Sequence, residues 1–213
     1  MNAFEQALES MKRIPTAEYD PERERQVALL PVLERLDVEL RRANRAGLEA
    51  RIREPRLLAA VRAWHWRAGN LVLSGRTGAG KTTAAAHLVR RLCAEGARFG
   101  GDQFDRAQLI RWQECRALSR VVREARLGTG TPEEIVRCQN ARLLVLDDLG
   151  MTDDREAIEL VMDIRNKRAW PTVTTTGIST SEFVKVFGDA LARRFFECGS
   201  SKGSIVDTEV SRV

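Results

Sequence analysis

Eight consecutive residues constrain this chain most: Gly75-Arg76-Thr77-Gly78-Ala79-Gly80-Lys81-Thr82. They fit the pattern G-x-x-x-x-G-K-[ST], set between an apolar run of strand length, Asn70–Ser74, and a helix-forming stretch, Lys81–Cys93. The glycines let the backbone wrap a phosphate chain with its N–H groups turned inward. The helix N-terminus adds positive potential. At this spacing Lys81 reaches the β- and γ-phosphates, and the Thr82 hydroxyl ligates Mg²⁺. The expected ligand is ATP or a close relative with Mg²⁺, cradled by Gly75, Arg76, Thr77, Gly78, Ala79, Gly80, Lys81, Thr82 and Thr83.

From Asn70 onward, apolar runs alternate with amphipathic helical stretches, which predicts an α/β fold with a mainly parallel sheet flanked by helices. After Lys81–Cys93, which is ended at Gly96, two segments compete for the next strand: Ala97–Gly100 and Ala107–Trp112. Cys115–Arg126 reads as a helix. Thr131, Pro132 and Glu134 have capping-box spacing for a short one. A buried strand follows at Ala141–Asp147. Asp153 and Glu156, again at capping-box spacing, open a helix to Arg168. Thr172–Thr176 is the next strand, a helix runs from about Ser181 through Phe196, and a last short strand lies at Ser204–Val206. Residues 1–68 read as helical, with one helix at about Pro55 to Trp66. The expected division is a helical N-terminal partner-binding region, 1–54, and a nucleotide-binding domain, 55–213.

With 213 residues, 43% of them hydrophobic, the chain has enough apolar side chains for a real core. No apolar run suits a membrane-spanning helix, and Met1–Arg13 is charged rather than signal-like, so a cytoplasmic protein is expected. Cys93, Cys115, Cys138 and Cys198 show no C-x-x-C spacing, which argues for reduced thiols and against zinc. The net charge of +5 is uneven: residues 70–146 hold 13 basic against 7 acidic groups. That excess suits a polyanionic partner.

Leu143-Leu144-Val145-Leu146-Asp147-Asp148-Leu149-Gly150 is an apolar strand ending in two acids. A P-loop enzyme needs a carboxylate at a strand's C-terminal end to hold the Mg²⁺ shell, and Asp147 suits that role. Asp148 beside it is the candidate base for the attacking water. The alternative is two acids capping a strand in a turn.

The phosphate loop, the Leu-Val-Leu-Asp-Asp-Leu-Gly strand and their spacing resemble the AAA+ ATPases of the DnaC/IstB group. That group comprises helicase loaders and transposition ATPase subunits. Phe187-Gly188-Asp189-Ala190-Leu191-Ala192-Arg193-Arg194-Phe195 is similar to its Gly-Asp-x-x-x-x-Arg motif. The resemblance spans roughly Leu57 to Val206. It implies an AAA+ core of the ASCE P-loop type, without a sizeable C-terminal lid. It also implies a homo-oligomer in which Arg194 acts on a neighbouring subunit's ATP. The group ends its fourth strand with an Asn that senses the γ-phosphate. Here Gly177 falls at that place, so Thr175 or Thr176 must serve, and Thr176 is the residue assigned; otherwise sensing is weakened and hydrolysis slow.

Arg116, Arg120 and Arg123 lie at i, i+4 and i+7 on one helix, in a region that faces DNA in the group. Such a stripe neutralises phosphates without reading bases. The alternative is a solvated face, with Glu124 four residues after Arg120. Trp64-His65-Trp66 reads as packing for the helix before the first strand or, alternatively, as a wall of the adenine pocket, and His87 reads as structural.

The leading functional expectation is an ATP-driven assembly switch on DNA, single strands slightly preferred, loading a replicative helicase. Alternatives are a transposition helper that binds duplex DNA beside a transposase, a small-molecule kinase, and a nucleotide-gated adaptor.

Overall fold

A computed structural model describes residues 47–95, 110–125, 131–150, 155–199 and 201–208. The predicted strand Ala97–Gly100, the Asp153 cap and nearly all of the 1–54 region lie outside these residues. Helix α1, Pro55–Ala63, starts with proline at its first position, where no intrahelical N–H is lost. Then come β1 (Leu71–Ser74), α2 (Lys81–Ala94), β2 (Ile110–Glu114), α3 (Cys115–Ala125) and α4 (Glu133–Asn140). The chain continues through β3 (Leu143–Leu149), α5 (Arg155–Lys167), β4 (Thr172–Thr176) and α6 (Thr180–Phe196). A hairpin of β5 (Glu197–Cys198) and β6 (Ser201–Lys202) leads to β7 (Ser204–Asp207).

Five strands form one parallel sheet in the order β2-β3-β4-β1-β7. Alternate side chains of a strand point to opposite faces, and the buried residues sort that way. Leu71, Leu73, Leu143, Val145 and Val173 pack with α1 and α2 in one core. Val72, Leu144 and Leu146 pack with α3, α4, α5 and α6 in the other. Both faces are covered, as a parallel sheet requires. Fully burying each such side chain contributes about 1.5–3 kcal/mol.

One local expectation changes. The Thr131 capping box is absent: α4 is capped at Pro132, with no side-chain hydrogen bond. Helix α6 instead carries the capping box at its own start, between Ser179 and Glu182. It is also kinked, because Gly188 takes φ 75°, ψ 162° inside it. At the expected domain boundary, Leu48 and Ile52 pack into the same core as α1 and α2. All four cysteines are free, and Cys115, Cys138 and Cys198 are buried. Among the described residues, no helix is long and apolar enough to cross a membrane.

Candidate functional site

The loop Gly75–Gly80 joins the C-terminal end of β1 to α2. Gly75, Gly78 and Gly80 take φ values of 143°, 84° and 97°, which side-chain-bearing residues rarely adopt. Two of them are also pressed by distant chain. A Cβ on Gly75 would stand 1.7 Å from Thr208 Oγ1, and one on Gly80 would stand 3.0 Å from Ile52 Cα. The Gly75 N–H donates to Thr176 O, and the Thr208 N–H to Ser74 O, tying the loop's root to β4 and to the chain beyond β7. Arg76, Thr77 and Gly78 are exposed at the crest. Lys81 turns back over the loop, where its Nζ donates to Gly75 O at 2.6 Å and to Arg76 O at 3.1 Å.

Strand β3 brings the acids to the same sheet edge, two strands away from β1 because β4 lies between them. Leu146 pairs with Thr174 and Leu149 with Thr176, so Asp147 and Asp148 together oppose Thr175. That is a β-bulge, a device that re-aims side chains. Asp148 takes φ 58° and is exposed, while Asp147 is 2% exposed. The extra residue also returns Leu149 to the core face of Leu144 and Leu146.

Asp147 Oδ1 accepts from Thr82 Oγ1 at 2.9 Å and from Thr175 Oγ1 at 2.6 Å. Thr175 Oγ1 in turn accepts the Asp148 N–H at 2.9 Å. Thr176, the residue assigned from sequence, does not join this cluster. Its hydroxyl donates to Leu149 O and accepts the Ile178 N–H, so its hydrogen bonds close the end of the sheet. Of the two threonines that the sequence left open, the bulge puts Thr175 rather than Thr176 opposite the acids. Gly177 is exposed and has no side chain to offer.

Arg194 lies on the last turn of α6, with Nε 2.6 Å from Asp163 Oδ1 on α5. Arg116, Arg120 and Arg123 are exposed and line one groove with Glu114, Ala117 and Glu124. Glu124 forms no ion pair with Arg120 among the described residues. Trp64 is buried and donates Nε1–H to Gly69 O, and His87 packs at the α2 face near Glu49. Four contacts of the site escaped sequence reasoning: Ile52 on Gly80, Thr208 on Gly75, Asn70 on Arg194 O, and Asp163 on Arg194. None is local in sequence except by fold.

The residues fit a Mg²⁺–nucleotide. Thr82 and Asp147 are paired hard oxygen donors of the kind Mg²⁺ takes. Gly75, Gly78 and Gly80 take positive φ, and a Cβ on Gly75 or Gly80 would also press on Thr208 or Ile52, so the loop keeps a backbone that only glycine adopts readily. A glycine-rich loop opening a helix, with a buried acid on a parallel strand two places away, defines an ATP-binding P-loop protein of the AAA+ kind. The chain belongs to the family of IstB-like ATP-binding proteins, whose model matches residues 29–195.

Solved structures share the fold. A putative primosome component from Streptococcus pyogenes serotype M3 is 19% identical over 84% of this chain and 87% of its own, with a TM-score of 0.52. DnaI is 16% identical over 71% and 80%, TM-score 0.52. The DnaC helicase loader is 20% identical over 71% and 86%, TM-score 0.50. No curated protein matches the chain.

Proposed function

We propose that this protein hydrolyses ATP with Mg²⁺ and works as an oligomeric assembly switch on DNA, in the manner of a replicative helicase loader. One observation carries the enzymatic part: Asp147 is joined to Thr82 on the loop helix and to Thr175 on β4, with Asp148 turned out beside it. The Lys81 ammonium, which lies against the Gly75 and Arg76 carbonyls, binds phosphate oxygens. Thr82 and Asp147 would hold Mg²⁺, which when bound neutralises phosphate charge. Asp148, exposed next to this cluster, accepts the proton of the attacking water. Arg194 stabilises developing charge at the site of a neighbouring copy. The exposed arginines of α3 contact the DNA backbone. With Leu48 and Ile52 committed to the core, the protein partner binds to chain before Gly47.

A transposition helper is the second reading, favoured by the family match. Turnover and DNA anisotropy separate the cases. Asp148→Asn should keep ATP binding and lose about 100-fold or more in turnover. Wild-type activity in that variant overturns the assignment of Asp148. Mg²⁺·ATP-dependent binding to single strands supports a loader, and a duplex preference supports transposition. No binding to either at low salt ends the DNA reading and leaves the kinase and adaptor.

A further inference from the structure

Arg194 is held at both ends. Its carbonyl accepts from Asn70 Nδ2 at 2.8 Å, and the same amide group donates to Glu197 O at 2.7 Å. Asn70 is buried, and its Oδ1 takes the Thr172 N–H at 2.8 Å. The end of α6 is therefore bolted to the starts of β1 and β4. The side chain pairs with Asp163, whose Oδ1 lies 2.6 Å from Nε as an ion pair. Nε is the nitrogen nearest the chain. The outer nitrogens, Nη1 and Nη2, make no hydrogen bond among the described residues. Arg193 differs: it is 71% exposed against 29% for Arg194, and its Nε lies 3.8 Å from Glu197.

A guanidinium paired through Nε with a carboxylate leaves its fork of outer N–H groups to bond a second partner, and the pairing narrows the rotamers it samples. We propose that Asp163 is the positioning residue for Arg194, locking it so that Nη1 and Nη2 are presented to the phosphates bound by a neighbouring copy. This rests on the reading that Arg194 acts across an interface.

The test uses the full chain and measures ATP turnover, KM and thermal melting for Arg194→Ala, Asp163→Ala and Asp163→Asn. Asp163→Ala should lower kcat roughly 10- to 100-fold with KM and melting little changed. Asp163→Asn, which keeps an acceptor oxygen, should recover part of the loss. Mixing Asp163→Ala with Lys81→Ala should restore turnover, because the second variant brings an intact Asp163–Arg194 pair and the first an intact loop. Mixing Asp163→Ala with the double variant Lys81→Ala/Asp163→Ala should restore none. Loss in Arg194→Ala with wild-type or faster turnover in both Asp163 variants overturns the positioning role alone. Wild-type turnover in Arg194→Ala overturns the interface reading beneath it.

Discussion

The hydroxyl of Thr175 stands 2.6 Å from Asp147 Oδ1 and takes the Asp148 N–H at 2.9 Å, so one side chain couples both acids of the site. Thr175→Val preserves shape and removes both bonds. It should lower kcat by about tenfold or more while nucleotide affinity changes little, because the loop itself is untouched. Phosphate release under saturating ATP is the measurement. Thr176→Val should instead lower the unfolding midpoint, since it orphans Leu149 O and the Ile178 N–H. Equal catalytic loss in both variants would remove the distinction.

Arg165 is fully buried and donates to Thr172 Oγ1 and to the carbonyls of Cys138, Ala141, Trp170 and Pro171. Burial pushes its pKa down to about 9, which still leaves it charged at neutral pH. It fastens the ends of α4 and α5 to β4. Arg165→Met should destabilise the fold by about 3 kcal/mol, because buried acceptors without donors cost about 1–3 kcal/mol each. Arg165→Lys should recover only part, having fewer donors without the planar fork. Urea midpoints decide this, and a neutral Met variant would mean that the carbonyls find other donors.

His87 carries the pH dependence. Burial pushes its pKa below the usual histidine value. Glu49 Oε1, 3.2 Å from Nε2, pulls it up, and Arg62, Arg91 and Arg90 push it down. Nε2 makes no aligned hydrogen bond. Above the unfolded value of about 6.5, His87 is neutral in both states and contributes nothing. As pH falls through 6.5 toward the lower folded value, the unfolded chain binds more protons and stability drops. His87→Gln should therefore lose less stability than wild type between about pH 7 and pH 5. A wild type that gains relative to the variant in acid would show that the Glu49 pairing outweighs burial.

The loop and strand that make up the candidate site are legible in sequence because their patterns are local. The phosphate loop and the Asp147-Asp148 pair each occupy one short stretch, and the α/β alternation around them sets which ends of the strands they occupy. Thr172–Thr176 was legible as a strand to the residue. The choice between Thr175 and Thr176 was not. It depends on a bulge in β3, and a bulge is a property of the pairing between two strands whose partners lie 27 or 28 residues apart, not of either strand alone.

The amino-acid sequence by itself determined the glycine-rich strand-to-helix loop, the acid-tipped strand and the class of fold, because glycine spacing, helix starts and apolar periodicity act over a few residues. Tertiary structure alone decided which threonine meets Asp147, which chain segments press on Gly75 and Gly80, and which carboxylate grips Arg194. Those contacts join residues brought together only when both faces of the sheet are buried, so their partners are set by packing rather than by neighbours in sequence.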